Sequence, residues 1–448
     1  MGTTRTPETY DVVGVGFGPS NLSLAIALEE QAAGGAGQKI SAAFIERQPT
    51  FGWHKNMLLP SATMQISFLK DLATFRNPVS RFSFVSYLHE SGRLTQFVNN
   101  QDFFPTREEF HQYLEWAQSH FEKSVSYGSE VVSVRQAGGD GLDAPGHLEL
   151  EVRDIAVGGS RLVRARNVVI STGLVPRMPD GMERDERVWH SSEFLEKYRS
   201  VGSDELKSVA VVGAGQSAAE ITKFLHDMLP HAQVHSVIPS YGYSVADDTP
   251  FANQVFDPAA VDDYYFGTDQ TREAFWRYHK NTNYSVVDTD VIQDLHRRWY
   301  EEDVRGCRRL HFHNLTRVDA IQRMGNETLV SLRSLLDKET QELNVDALVF
   351  ATGYEGMDPT RLLGGLADHC PRDDEGRYRV DRDYRLVTGP ELPCGIYLQG
   401  GTEHTHGLTS SLLSNIAVRS GEIAESLVNR LGAERERALP ERAPAEAV

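Results

Sequence analysis

Three cysteines are too few and too scattered for several protein classes. Cys307, Cys370 and Cys394 form no CxxC pair. A disulfide scaffold, a zinc ribbon and a dithiol reductase are disfavoured, and a reducing, cytoplasmic setting is expected. Long apolar runs are also missing: none approaches the roughly 20 residues that a membrane span needs. The opening MGTTRTPETYD lacks the apolar core of a signal peptide. Positive charge is in deficit, with 45 Lys and Arg against 63 Asp and Glu, a net −18. That balance disfavours nucleic acid and anionic membranes as partners. Internal repeats and low-complexity linkers are absent as well.

What is present is an ordinary globular composition, 40% hydrophobic and 24% charged, over 448 residues. That length exceeds a single core, so two or three domains are expected. Two stretches share one pattern of apolar strand, glycine turn and helix: YDVVGVGFGPSNLSLAIALEE from Tyr10 and SVAVVGAGQSAAEITKFLHDM from Ser208. Such openings belong to βαβ nucleotide-binding units. In the first, Gly14, Gly16 and Gly18 permit a tight turn and close approach of the backbone to a pyrophosphate. Pro19 and Ser20 open the helix that follows, whose N-terminus favours phosphate charge. Glu46 ends the next strand, SAAFIE, and suits a ribose hydroxyl, although its spacing exceeds the usual ~20 residues. In the second, Gly213, Gly215 and Ala218 fit GxGxxG/A, with Gln216 and Ser217 in reach of another dinucleotide. The strand after it ends in Pro239 and Ser240, not in an acid. A missing acid favours NADP over NAD, although no arginine stands there to hold a 2′-phosphate. Two dinucleotides without a CxxC imply a flavin and a nicotinamide whose electrons pass to something diffusible, oxygen being the obvious acceptor.

A third stretch, TMQISFLKDLATFRNP from Thr63, sets Gln65, Lys70 and Asp71 among apolar residues. Taken alone it reads as a surface lysine beside an aspartate. Asn253 and Asn283 read, taken alone, as turn or helix caps. His404 and His406 in GTEHTHG invite a metal reading, but no third ligand accompanies them and no metal is expected.

The segment DALVFATGYEGMDP, from Asp346 to Pro359, resembles the ATG signature of class B, flavin-dependent N-hydroxylating monooxygenases, which make hydroxylamines for siderophores. The resemblance extends through WHKNMLLP, TGLVPRMP, DDTPFANQVFDP, NTNYSVVD and GTEHTHGLTSSLLS, and is greatest to the L-ornithine N5-monooxygenases. It implies FAD and NADPH as cofactors, O2 and L-ornithine as substrates, a C4a-hydroperoxyflavin oxidant and N5-hydroxyornithine as product, for siderophore or other hydroxamate biosynthesis. It sets Trp53, His54, Met64, Gln65 and Leu408 at the flavin. Lys70 falls to the substrate carboxylate, and Asn253, Asn283, Thr409 and Gln65 to the rest of the substrate. Asn283 also meets the nicotinamide ribose, and Gln65 and Asn283 are the candidate catalytic pair. Thr409 stands where relatives often carry serine. Thr409 or Ser410 would cap the helix that follows.

The chemistry agrees with that assignment. A zwitterion in a desolvated pocket needs a cation at its carboxylate. A nearby lysine also lowers the pKa of the reacting amine, which attacks only when neutral. The implied fold class is α/β: two Rossmann-like domains, for FAD and NADPH, with a small, mainly helical substrate region. The expected boundaries are 8–170 for the first part of the FAD domain and 171–246 for the first part of the NADPH domain. Residues 247–298 form the substrate region, and 299–345 the second NADPH part. The FAD domain returns over 346–431 with the ATGY and HGL segments, and 432–448 is a disordered tail. A homotetramer is implied too. An L-lysine N6-hydroxylase or a diamine N-hydroxylase on the same scaffold is the nearest alternative. An uncoupled NADPH oxidase is more remote.

Overall fold

The computed structural model describes residues 7–33, 39–138 and 146–438. Its first sheet grows from the strand Glu8–Val15, whose inner half VVGV is wholly buried. Burial on both faces is what a central parallel strand requires. It pairs in parallel with Ala42–Ile45 on one side and Ser160–Ile170 on the other. The long strand Ser160–Ile170 divides its far edge between two partners. Leu148–Asp154 runs antiparallel along the beginning, and Gly395–Leu398 runs parallel along the end. Through that second pairing the late part of the chain returns to the first sheet. The helices Pro19–Ala33 and Ile416–Ala438 cover one face, where Leu24, Ala27, Ile423 and Leu427 meet Val12 and Tyr397.

The second sheet is parallel and five-stranded. Its order is Leu310–Asn314, Gln233–Ile238, Ser208–Val212, Ala347–Phe350, Val188–His190. The helices Gln216–Met228 and Thr289–Arg305 pack on one face through Ile221, Leu225 and Leu295. The antiparallel strands Thr316–Met324, Glu327–Ser334 and Thr340–Val345 close the other through Val330, Leu332 and Val345. The α/β class and the two dinucleotide-type units therefore stand as expected.

Three expected boundaries shift. Ala347–Phe350 lies inside the second sheet, so the return to the first sheet starts after Ala351, not at 346. ALVF is apolar at every position and is buried on both faces of that sheet. The helix Thr289–Arg305 runs straight through the expected limit at 298 and packs on Gln216–Met228, because Val291, Ile292, Leu295 and Trp299 give it an apolar face. The mainly helical region is accordingly shorter: Ala252–Phe256, Pro258–Tyr265, Asp269–His279 and Lys280–Thr282. The last helix continues to Ala438, where a disordered tail was expected from 432. An i,i+4 pair, Arg430–Glu434 at 3.4 Å, supports that extension. The rest of the expected tail lies outside the described residues.

Candidate active site

The two glycine turns differ in what each glycine does. Gly16 has φ +84°, and a Cβ there would lie 2.4 Å from the Ser171 carbonyl oxygen. Only glycine fits. Gly14 leaves room for the Phe44 ring, which a Cβ would meet at 2.3 Å. Gly18 faces open space: a methyl there would meet nothing within 4 Å. That open face lies at the start of the helix beginning with Pro19, where the unpaired N–H groups favour an anion. Glu46 is buried, and its carboxylate accepts from the Phe17 N–H at 2.6 Å and the Gln48 N–H at 2.8 Å. It thus shapes the turn at the end of Ala42–Ile45, with lone pairs remaining for a ribose.

In the second turn Gly215 precedes the helix Gln216–Met228, and the nearest atom to a Cβ on it would be Ser285 Cα at 3.8 Å. Ser285, two residues after Asn283, thus lies over this turn, and Ser285 itself has φ +59°. Ser217 remains accessible in the first helical turn. Gln216 does not reach outward. Its amide donates to Asp288 and Glu220 and accepts from the Asp288 N–H, so both its N–H groups are engaged within the protein.

The Thr63–Pro78 stretch divides its polar residues. Met64 is buried in an aromatic-rich core, while its neighbour Gln65 faces outward and donates to Asp288 Oδ1 at 2.8 Å. Asp71 turns away from Lys70. It is buried, and accepts from the N–H groups of Ala73, Thr74 and Phe84 and from the Thr74 hydroxyl. Desolvation raises its pKa even so. Lys70 is half-buried, with Nζ 5.7 Å from the centre of the Phe256 ring. Burial pushes its ammonium down from the ordinary value, Asp257 acting in the opposite sense. No ion pair of Lys70 occurs among the described residues.

Phe256 belongs to a small apolar cluster with Val255 and Leu408, against which Tyr284, Trp276 and Leu412 pack. Three remaining candidates are chain neighbours of this cluster. Asn253 sits three residues before Phe256, Asn283 adjoins Tyr284, and the buried Thr409 follows Leu408. Asn253 also donates to the Asp248 carbonyl at 2.7 Å, so the capping role holds for one of its N–H groups. Trp53 and His54 meet edge to face, ring centres 4.9 Å apart. His54 adopts φ +47°, a conformation rare outside glycine. His54 is exposed at the surface, with protein crowded around its ring. Desolvation, then the charge of Arg107, holds it down to about 4, so it is neutral at physiological pH.

With this geometry in place, relatives can be weighed. Residues 8–356 match the family model described as L-lysine 6-monooxygenase/L-ornithine 5-monooxygenase. The chain belongs to that family. It is 39% identical over 436 residues to the L-ornithine N(5)-monooxygenase of Pseudomonas aeruginosa, covering 96% of each chain. A solved ornithine N-hydroxylase of Kutzneria sp. 744, with reduced FAD, NADP+ and L-ornithine, is 59% identical with a TM-score of 0.90. That match covers 94% of this chain and all (100%) of that one. The L-lysine 6-monooxygenase of Pseudomonas syringae is more distant, at 30% identity and a TM-score of 0.81, covering 94% and 100%.

Within this family, one sequence expectation changes. Thr409 and Ser410 cap no α-helix. They lie in the 3-10 turn Leu408–Ser411, and the α-helix starts only at Ile416. Arg419 explains the difference. Fully buried, it donates to the carbonyls of Thr409 at 3.1 Å and Ser410 at 2.7 Å, and to Ser20 Oγ at 3.3 Å. One cation thereby ties the Leu408–Thr409 turn to the first glycine turn. His404 and His406 do not converge: His404 Nε2 meets the Tyr378 carbonyl, and His406 Nε2 the Arg382 carbonyl. Among the described residues no group of three His, Cys, Asp or Glu is arranged to hold a metal. The sequence alone gave no sign of Arg107, Glu220, Asp288 or Arg419. Each sits in an amphipathic helix or at a helix start, where a charged residue ordinarily faces water or caps.

Proposed function

We propose that this chain is an FAD-dependent monooxygenase that uses NADPH and O2 to hydroxylate the side-chain amine N5 of L-ornithine. The observation that carries the substrate is Lys70: a half-buried cation over Phe256, forming no ion pair among the described residues. A substrate α-carboxylate there restores the charge balance that burial disturbs. A diamine has no such group. Family membership and the likeness to ornithine hydroxylases support the same reading.

Bound FAD, once reduced by NADPH, supplies the oxygen activation. The protein supplies position and electrostatics. The first glycine turn with Gly18 and the Pro19 helix holds the FAD pyrophosphate, and Glu46 its ribose. Gly213, Gly215 and Ser217 hold NADPH. Lys70 anchors the ornithine carboxylate. Asn253 and Asn283 contact the amino acid without adding charge, so the N5 amine stays neutral and nucleophilic. Thr409 closes the pocket beside Leu408. Met64 and Trp53 exclude water from the flavin edge, which limits peroxide release.

Among the described residues no helix is long and apolar enough to cross a membrane. We place the enzyme in the cytoplasm as a homotetramer, which light scattering tests. The test of function is to measure hydroxylamine formed against NADPH consumed with L-ornithine, L-lysine and putrescine. Matched yields from ornithine alone are expected. Hydroxylamine from lysine or putrescine at equal efficiency would overturn the substrate, and peroxide alone would overturn the activity.

A further inference from the structure

Asp288 stands at the N-cap of the helix Thr289–Arg305 with extended backbone, φ −61° and ψ 141°. An aspartate there ordinarily accepts an N–H from the first turn and stabilises the helix. This one makes no such bond. Its Oδ1 accepts from Gln65 Nε2 at 2.8 Å, and its Oδ2 from Gln216 Nε2 at 2.8 Å. Its own N–H donates to Gln216 Oε1 at 2.8 Å. The carboxylate has left its helix to hold two amides that belong to different domains.

The bonds continue into a closed ring. Gln216 also donates to Glu220 Oε1 at 2.9 Å. Glu220 takes both its oxygens to Arg107, at 2.8 and 2.9 Å. Arg107 donates to the carbonyls of Met57 at 2.9 Å and Thr63 at 3.4 Å. Thr63 leads back to Gln65. Carboxylates only accept and a guanidinium only donates, so each amide in the ring has one permitted orientation. Gln216 uses both N–H groups and its oxygen. Gln65 gives one N–H to Asp288 and keeps its carbonyl and second N–H on its exposed side.

We propose that Asp288 is a positioning residue that fixes the Gln65 amide at the flavin edge. Through Gln216 it also locks the Asn283 loop to the second glycine turn. Asn283 lies five residues before Asp288 on the same segment, and Ser285 lies over Gly215. One carboxylate therefore registers the wall of the first dinucleotide site against the loop of the second. The chemistry it serves is retention of NADP+ beside the flavin, which keeps reducing equivalents on the amine and away from peroxide.

This inference takes its assay substrate from the ornithine reading, and one readout does not depend on it. The experiment is a double-mutant cycle with Asp288→Asn and Gln65→Ala in the FAD-loaded full chain. It reads NADP+ affinity by calorimetry and the ratio of peroxide to hydroxylamine with L-ornithine. Asparagine keeps the size and one acceptor of the aspartate, so the protein folds. Asp288→Asn is expected to weaken NADP+ about tenfold, the scale of one lost hydrogen bond to a charged group. The peroxide share should rise with it. In the Gln65→Ala background the added effect should be much smaller, since contacting residues are non-additive. Wild-type behaviour of Asp288→Asn in both readouts, or effects that multiply with those of Gln65→Ala, would overturn the proposal. If the wild type hydroxylates none of the amines, the ornithine reading fails while the NADP+ cycle still decides on Asp288.

Discussion

Lysine beside aspartate in the sequence reads as a surface pair, and the structure separates them completely. Asp71 is enclosed by four hydrogen bonds that shape the Lys70–Phe84 segment, and Lys70 is left over the Phe256 ring. Division of labour follows: the aspartate builds the fold and the lysine is available to a ligand. Lys70→Ala should therefore act on one part of the substrate only. A charged hydrogen bond contributes about 1.5–3 kcal/mol, or roughly 10- to 100-fold in affinity. The KM for L-ornithine is expected to rise by that factor, and the KM for putrescine, which has no carboxylate, much less. Steady-state kinetics with both amines checks this. An equal rise for both would show that Nζ meets no carboxylate.

Among elements, the two strand–turn–helix openings were legible in the sequence because Gly14, Gly16 and Gly213 answer steric demands that no other residue meets. The ATG strand was legible as a strand but not in its sheet: an all-apolar ALVF suits the middle of either one. Asp288 and Arg419 were illegible for a different reason. Asp before TDVIQDL spells a helix cap, and Arg419 in IAVRSGEIAESL spells a solvent-facing position. Their partners lie far away in sequence, Gln65 and Ser20 among them. The first glycine turn itself offers a clean contrast. Gly16→Ala forces a methyl to within 2.4 Å of the Ser171 oxygen at a left-handed φ, which costs at least about 1–2 kcal/mol before any clash is counted. Gly18→Ala points a methyl into open space. The expected outcome is a marked fall in apoprotein melting temperature for Gly16→Ala. For Gly18→Ala we expect a normal melt and about tenfold weaker FAD binding, because the methyl takes the room a pyrophosphate needs. Differential scanning fluorimetry and flavin titration separate the two, and normal FAD affinity in Gly18→Ala would remove the first turn from the cofactor site.

Across the whole molecule, buried neutral histidines link both domains to pH. His235 lies in the second sheet beside His311 and His313, its ring 3.2 Å from His313 Nε2 and stacked 4.7 Å from His311. Desolvation and then those two rings hold it down to about 3. His406 lies under the returning segment of the first domain, stacked on Tyr384 at 4.0 Å, and desolvation with the charges of Arg382 and Arg419 also holds it down to about 3. Both values lie below the ordinary 6.5. The unfolded chain therefore takes up these protons first as pH falls. The stability they contribute is complete above about 6.5 and is lost progressively toward about 3, at about 1.4 kcal/mol per pH unit for each histidine. Asp71 and Asp288, whose carboxyls are pushed up by burial, work in the opposite sense. Melting temperature of the cofactor-free protein should fall steadily from pH 6.5 downward, and His235→Asn should flatten part of that slope. Because one histidine sits in each domain, acid should weaken the two together, as a single transition rather than the loss of one unit. A melting temperature that stays level from pH 6.5 to pH 5 would show that these rings accept protons without leaving their packed positions.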